Sequence, residues 1–184
     1  MQALTPGPMK VLNSKLDAIL LGCMVALTMA LVIFIVNTIA VPHLVAGDRA
    51  PGFSFKTDDG RQIGRDDFGG RLLVLNFWAS WCATCVLEMP SLNQFAAEMR
   101  DQGIVVVAVS VDRNEQSYNR FLQRLRPRFS TYRDPTSDIS ASFGTFMIPE
   151  TYVIDRSGHV RQKYISDRNW EDPVMINEVR SLLE

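Results

Sequence analysis

The amino-terminal part of the chain is one long apolar run. Residues 18–42 contain no charge, and residues 18–36 are almost continuously apolar. A helix of about 20 such residues matches the roughly 30 Å hydrocarbon core of a bilayer, so the pattern predicts one transmembrane helix. Lys10 and Lys15 precede the run, whereas Asp48 offsets Arg49 beyond it. The positive-inside bias therefore predicts a cytoplasmic amino terminus and an extracytoplasmic domain.

Two alternatives to a membrane anchor remain open at this point. A cleaved signal peptide usually has a shorter apolar region of roughly 7 to 15 residues, and the small-residue site nearby is Ala46-Gly47, with Leu44 poorly placed before it. Lipidation at Cys23 would require an apolar region before the cysteine, but the long apolar run follows it. We therefore expect Cys23 to fill space within the span.

Beyond residue 52, apolar runs of strand length alternate with helical patterns. Runs that are apolar throughout predict central strands covered on both faces, and shorter runs joined by turn residues predict hairpins. The predicted strands are 53–56 and 61–63, joined across Asp58-Asp59-Gly60, then 72–78, 104–111, 151–154 and 159–165.

The helices are predicted from apolar residues that recur on one face. In the first of them, which runs from about the cysteines to Arg100, Leu87 and Leu92 belong to the stripe expected to be buried. The other predicted helices are 115–125, which ends before Pro127, 139–143, which Gly144 closes, and 172–183.

These patterns divide the chain into four segments. A strand, a crossover helix and a second strand form a parallel unit, so the fold class is α/β with a central mixed β-sheet flanked by helices and an amino-terminal β-hairpin. The segments are a cytoplasmic stretch 1–17, a transmembrane helix 18–42, a linker 43–52 and a globular domain 53–184.

Charge and cysteine content narrow the function. A net charge of -1 and a pI near 6.1 give no basic surface of the kind that nucleic-acid binding requires, so we expect no nucleic-acid partner. Cys82 and Cys85 are the cysteines outside the apolar run. Two cysteines are too few for the framework of a disulfide-rich module. The pair is therefore catalytic or metal-binding.

The spacing of the two cysteines favours redox chemistry. Cys82 falls at the start of the predicted helix, where free backbone N–H groups and the helix dipole favour a thiolate and lower the pKa of a thiol. Cys85, one turn further, is placed to attack a mixed disulfide on Cys82. A zinc site would require four ligands, and we expect no metal or cofactor. Soft thiolates also bind Cu(I), so a copper site with His159 as third ligand remains an alternative; the other histidine is His43.

Two segments of the chain resemble the thioredoxin superfamily. Residues 76–85, which read Asn-Phe-Trp-Ala-Ser-Trp-Cys-Ala-Thr-Cys, are similar to its active-site segment, and Pro90 matches the proline that kinks its first helix. Residues 142–149, which end in Ile148-Pro149, match its second signature. This resemblance covers about residues 50 to 184, and it implies a thioredoxin fold with a cis peptide bond before Pro149, beside the cysteines.

Within that superfamily the chain resembles the membrane-anchored TlpA/ResA-like branch, which includes reductases of cytochrome c maturation. Glu88, the apolar anchor and Pro149-Glu150-Thr151 carry this resemblance. Asn76 stands where thioredoxin has a buried aspartate, so the resemblance implies that another carboxylate handles protons. Glu88, one turn beyond Cys85, is expected to take up the proton released during exchange.

The residues near the second signature are expected to bind substrate. A proline after a cis bond offers no N–H, so the backbone before it lies open for an extended polypeptide to pair with it. Trp81 is expected to be an exposed platform beside the nucleophile. The predicted substrate-binding residues are Trp81, Phe146, Met147, Ile148 and Pro149.

The sequence therefore predicts an enzyme, a membrane-anchored thiol-disulfide oxidoreductase on the extracytoplasmic side. The resemblance implies a reductase of disulfides in exported proteins, with apocytochrome c as the first candidate and a membrane electron donor as the source of electrons. A disulfide-forming oxidase would use the same cysteines in the reverse direction. The further alternatives are a copper chaperone and a thiol peroxidase, although Ala79-Ser80-Trp81 lacks the threonine and proline that a peroxidase requires.

Overall fold

The computed structural model describes residues 14–39 and 44–183, which belong to two compact units that divide after Val41. The first unit contains helix α1 (Ser14–Ile39), in which the stretch Asp17–Ile35 has a mean hydropathy of 2.8 and no buried residues. By length and composition this helix is able to cross a bilayer. Residues 1–13 of the predicted cytoplasmic segment, residues 40–42 of the predicted span, and His43 lie outside the described residues.

The second unit contains a small hairpin and a five-stranded mixed sheet. The hairpin pairs β1 (Ser54–Lys56) with β2 (Gln62–Gly64). In the sheet the strands lie in the order β5-β4-β3-β6-β7, where β3 is parallel to β4 and antiparallel to β6. The bounds of these strands are β3 Leu72–Trp78, β4 Ile104–Ser110, β5 Ser130–Arg133, β6 Glu150–Asp155 and β7 Val160–Ile165.

Within residues 44–183, four helices accompany the sheet, and side chains cap the starts of three of them. Asn114 accepts a hydrogen bond from the Ser117 N–H at one helix start, and Asp172 accepts one from the Val174 N–H at another; Cys82 caps the third. The bounds are α2 Ala83–Met99, followed by a 3₁₀ turn Arg100–Gln102, then α3 Glu115–Leu125, α4 Asp138–Ser142 and α5 Pro173–Ser181.

Strand β5 is the element that the apolar pattern fails to predict. Its four residues read Ser-Thr-Tyr-Arg and pair with β4 at one edge of the sheet. An edge strand has a neighbour on one side, so it does not need the continuous apolar run that marks a central strand. The other strands and helices predicted for this domain are present, with bounds that coincide with the prediction or differ from it by one or two residues.

The sheet separates two hydrophobic clusters, because alternate residues of β3 point to opposite faces. Val74 and Trp78 pack in the cluster that contains the buried face of α2, whereas Leu75 and Phe77 pack in the cluster that contains the β1–β2 hairpin. Asn76 lies between Val74 and Trp78 in this alternation, so its side chain points to the α2 face. This orientation brings it within reach of the candidate site.

The prediction that Leu87 belongs to the buried stripe of α2 is wrong. Leu87 is 74% exposed, whereas Glu88 beside it is 3% exposed. The buried face begins at Cys85 and continues through Met89 and Leu92. A residue two positions after Cys85 is rotated by about 200° around the helix and therefore points away from the sheet.

Gly70, just before β3, lies where the backbones at the starts of β3 and β4 pack closely together. A Cβ atom at Gly70 would lie 2.5 Å from Val105 Cγ2 and 2.8 Å from the Gly103 carbonyl oxygen, which is main chain and cannot rotate away. We expect Gly70→Ala to lower the free energy of unfolding by about 1 to 3 kcal/mol, as overpacking usually does. Chemical denaturation of the full chain in neutral detergent measures this change.

Gly52→Ala is the matched control, because a Cβ atom there would meet a single neighbour, Arg65 Nη1, at 3.8 Å. We expect its effect to stay within about 0.5 kcal/mol, as for most surface substitutions. Equal stabilities of the two variants would contradict the packing described here.

Candidate functional site

The turn between β3 and α2 is held by a buried aspartate. Asp112 follows β4 and is 1% exposed. Its carboxylate accepts hydrogen bonds from the Ser80 N–H and the Ser80 hydroxyl, both at 2.8 Å, and from the Ser110 hydroxyl at 2.7 Å. These bonds use both carboxylate oxygens, so Asp112 fixes the backbone two residues before Cys82.

Cys82 caps the first turn of α2 with its sulfur atom. Its backbone is extended, and its Sγ accepts a hydrogen bond from the Cys85 N–H at 3.2 Å. The two cysteines form a disulfide with Cα atoms 5.3 Å apart. Cys82 is 8% exposed and Cys85 is fully buried, so an incoming sulfur reaches Cys82 first.

The loop that carries the second signature lies against Cys82. The peptide bond between Ile148 and Pro149 is cis, as the sequence resemblance implied. The Ile148 carbonyl oxygen lies 3.7 Å from Cys82 Sγ, within range of a thiol hydrogen bond once the disulfide is reduced. Pro149 itself is buried and Ile148 is half-buried.

Large apolar side chains are exposed on the two chain segments that make this contact. Apolar residues that cluster at an exposed surface mark interaction sites more often than isolated ones do. Trp81 is 70% exposed and, in the neighbouring loop, Phe146 is 68% and Met147 50% exposed. Val86 and Leu87, in the first turns of α2, are also exposed.

Glu88 lies three residues after Cys85 in α2, with its carboxylate buried among hydrogen-bond donors. Oε1 accepts from the Trp170 indole N–H at 2.6 Å and from the Arg168 N–H at 3.3 Å. Oε2 accepts from the Asn76 amide at 3.3 Å, and the same amide donates to Thr151 Oγ1 at 2.8 Å. The carboxylate thus connects α2, the central strand and the segment before α5.

Comparison with known proteins places this geometry in a family. The model of the AhpC/TSA family matches residues 46–163, which is more than half of the chain. The chain belongs to the AhpC/TSA family. The matched region of this AhpC/TSA chain includes both cysteines, Glu88 and the cis-proline loop.

Relatives of this AhpC/TSA chain are thiol-disulfide oxidoreductases by name. It is 28% identical over 125 residues to the thiol-disulfide oxidoreductase ResA of Bacillus thuringiensis subsp. konkukian, a match that covers 68% of this chain and 72% of the relative. A ResA of Oceanobacillus iheyensis is 31% identical over 120 residues, covering 63% and 62% respectively.

Solved structures agree with this assignment. A putative thiol:disulfide interchange protein DsbE from Chlorobium tepidum superposes with a TM-score of 0.69 at 29% identity, covering 77% of this chain and 99% of that one. StoA from Bacillus subtilis, at 20% identity and a TM-score of 0.61, shares the fold. The domain has the predicted thioredoxin fold, and the chain is a thiol-disulfide oxidoreductase of the ResA/DsbE type.

Burial controls the protonation of Glu88 in this oxidoreductase. Desolvation disfavours the charged carboxylate and raises the pKa of Glu88 from 4.5 to about 7, although the hydrogen bonds from Trp170, Arg168 and Asn76 act in the opposite direction. A carboxyl group with a pKa of about 7 accepts and releases a proton near neutral pH. This behaviour is suited to the proton-handling role that the sequence predicts for Glu88.

Some residues of the site could not be identified from the sequence. Trp170 donates the shortest hydrogen bond to Glu88 but lies 82 positions away in the chain, and no local pattern marks it. Leu87 fitted the periodicity of a buried stripe, but its side chain is exposed.

The polar pair after Pro149 divides between the two faces of the sheet. Thr151 accepts from Asn76 and so belongs to the Glu88 network. Glu150, which is 1% exposed, instead accepts a hydrogen bond from the Tyr152 hydroxyl and forms an ion pair with Lys163 Nζ at 2.7 Å. The AhpC/TSA domain therefore holds two buried glutamates in separate environments.

His159 lies at the opposite end of β6 from Pro149. The six-residue strand separates the turn that leads to His159 from the cis-proline loop by about 17 Å. His159 Nδ1 lies 2.8 Å from the Ser157 hydroxyl, within that turn. A copper site of the kind considered above would require the His159 imidazole beside the two sulfurs. Because the fold holds His159 at the other end of β6, His159 is not placed to be the third ligand.

The raised pKa of Glu88 should make the free energy of unfolding depend on pH. The folded-state pKa of about 7 exceeds the ordinary value of 4.5, so the folded protein binds the proton of Glu88 more tightly than the unfolded chain does. The contribution of this group to the free energy of unfolding is therefore fully present below pH 4.5 and is lost as the pH rises through 7. At about 1.36 kcal/mol per pKa unit the loss is about 3 kcal/mol. We expect Glu88→Gln, which cannot ionise, to lack this component when unfolding free energies are compared between pH 5 and pH 8.

Glu98→Gln is the control for this measurement, since Glu98 is an exposed residue of the same helix. It should keep the pH dependence of the unaltered chain. If Glu88→Gln also kept it, the carboxyl group of Glu88 would be ionised throughout this range and its burial would not control its protonation.

Proposed function

We propose that this chain is a single-span membrane protein whose domain reduces disulfides of exported proteins on the extracytoplasmic side. Apocytochrome c is the first candidate substrate, and a membrane electron donor returns the domain to its dithiol form. The apolar run in helix α1 and the two lysines that precede this run support the location. The observation that carries the proposed chemistry is the Cys82 sulfur at the start of α2, next to the Ile148 carbonyl.

The proposed reaction starts from the reduced domain. The Cys82 thiolate attacks one sulfur of the substrate disulfide, so that a mixed disulfide forms and the other substrate sulfur leaves as a thiolate. Cys85 then attacks Cys82 Sγ, which closes the 82–85 disulfide and releases the first substrate sulfur. Two electrons pass from the protein to the substrate, which becomes a dithiol.

Glu88 serves the second step in this scheme. Cys85 must lose its proton before it can attack, and a carboxylate one helical turn away is suited to accept it. Because burial raises the pKa of Glu88 to about 7, the group is a competent base above neutral pH and returns the proton readily. Asn76, Trp170 and the Arg168 N–H hold the carboxylate in position.

The exposed apolar residues supply the substrate surface. An extended polypeptide joined to Cys82 pairs its backbone with the segment before Pro149, where the Ile148 carbonyl already approaches the sulfur. Trp81, Phe146 and Met147 then contact its side chains.

A trapping experiment tests the roles of the cysteines and the identity of the substrate. In Cys85→Ser the second step is blocked, so we expect mixed disulfides between Cys82 and exported proteins to accumulate in cells. Mass spectrometry of non-reducing complexes identifies the partners. The double variant Cys82→Ser/Cys85→Ser is the control and should trap none.

Complexes that form equally in the double variant would assign the reaction to Cys23 or to non-specific thiols. Trapped partners confined to cytoplasmic proteins would contradict the proposed location. An absence of any complex in Cys85→Ser would contradict the assignment of Cys82 as the nucleophile.

The pH dependence of exchange tests Glu88 separately. We expect the rate of the resolving step to rise as the pH increases through about 7, where Glu88 becomes ionised. Glu88→Gln should lack this inflection. Trp170→Phe removes a hydrogen bond that stabilises the carboxylate, so the inflection should move to higher pH. Stopped-flow kinetics with the full chain in neutral detergent measures all three profiles.

A structural role alone would lower the rates of both variants without moving the inflection. The proposed role of Glu88 requires two different results: the inflection is lost in Glu88→Gln, and it moves to higher pH in Trp170→Phe. An unchanged inflection in Glu88→Gln would remove Glu88 from the mechanism.

A further inference from the structure

A groove lies between α3 and the turn that carries Trp81, the residue before the nucleophile. It has a volume of about 670 Å³ and is lined by Ser80, Trp81, Ser117, Arg120, Gln123 and Arg124. Trp81 immediately precedes Cys82 in the chain and is 70% exposed. A polypeptide joined to Cys82 therefore has this groove as one of its exits from the site.

The charge of this groove is positive. Arg120 and Arg124 are four residues apart on α3 and so lie on one face of the helix. Both are exposed, and none of the described residues that line the groove is a carboxylate. An exposed cation in a groove attracts anionic partners and speeds their approach.

Nearby acidic residues are already engaged elsewhere. Asp112 accepts hydrogen bonds from Ser80 and Ser110, and Glu115 at the start of α3 pairs with Arg133 at 3.3 Å. Within residues 14–39 and 44–183, the ion pairs of the protein include neither Arg120 nor Arg124. Arg120 does donate a hydrogen bond to the Ser117 hydroxyl, at 3.3 Å, which orients it without neutralising it.

We propose that this groove selects substrate polypeptides with acidic residues beside the disulfide that Cys82 attacks. The inference rests on the proposed function, because the occupant is the substrate of that same reaction. The two guanidinium groups bind carboxylates in the forked geometry that arginine favours. Trp81 packs against the part of the substrate between its acidic residue and its disulfide. Because Trp81 is next to Cys82, a substrate bound in this way has its acidic residue close to the reacting sulfur.

The two binding surfaces then have different tasks. The segment before Pro149 pairs with substrate backbone and is indifferent to sequence, since backbone groups are common to all polypeptides. The groove binds acidic side chains of the substrate, and exposed charged contacts of this kind chiefly change the association rate and the specificity. The domain accordingly distinguishes acidic from neutral substrates before the sulfur chemistry begins.

A pair of synthetic peptides provides the test. Each peptide carries one internal disulfide, and the two differ in having Glu-Glu or Gln-Gln about four residues from the attacked cysteine, on either side of it in separate versions. The reduced full chain in neutral detergent is mixed with each peptide at low salt, and the second-order rate of peptide reduction is measured. The ratio of acidic to neutral rates is the readout.

We expect the acidic peptide to be reduced about threefold to tenfold faster by the unaltered chain, as two exposed charge pairs allow. In Arg120→Gln/Arg124→Gln the ratio should fall to about one. Salt at about 0.5 M should produce the same fall in the unaltered chain, because exposed charges are screened. Arg126→Gln/Arg128→Gln, which removes two charges outside this groove, should keep the ratio.

A ratio near one in the unaltered chain, or an equal loss in both double variants, would overturn the proposal while leaving the reductase function standing. Reduction of neither peptide would overturn the proposed function and this inference together. A ratio that survives in Arg120→Gln/Arg124→Gln would place the charge recognition elsewhere on the domain.

Discussion

The position of one sulfur atom at the start of a helix determines the organisation of this site. Cys82 caps α2 by accepting the Cys85 N–H, and its partner lies a turn deeper and fully buried. Residues outside α2 fix both the backbone before Cys82 and the surroundings of its sulfur. Asp112 holds the backbone at Ser80, and the cis-proline loop places the Ile148 carbonyl 3.7 Å from the sulfur. An oxidoreductase requires this combination of an accessible first sulfur and a protected second one.

The two buried glutamates show how environment separates residues of the same type. Neutral donors surround Glu88, and they only partly offset the desolvation that raises its pKa to about 7. Glu150, on the other face of the sheet, has the cationic group of Lys163 at 2.7 Å. Glu88 is therefore suited to exchange protons, and Glu150 to join β6 with β7.

Local patterns predicted most of this fold, because the central strands are apolar throughout and the helices begin at recognisable caps. The two signature segments likewise predicted the cysteine pair and the cis bond before Pro149. The failures have physical reasons. Strand β5 is a polar edge strand. Leu87 fits a helical stripe but is 74% exposed, because it points away from the sheet. Trp170 meets Glu88 only through tertiary packing, which no spacing in the sequence encodes.

The most direct test of the account compares the reactivity of the two reduced sulfurs. The full chain is reduced, treated briefly with a small alkylating reagent at neutral pH, and digested so that mass spectrometry can locate each modified cysteine. We expect Cys82 to be alkylated first and Cys85 to remain largely unmodified, because the first sulfur is the accessible one and backbone N–H groups stabilise its thiolate. Equal modification of both, or faster modification of Cys85, would contradict it.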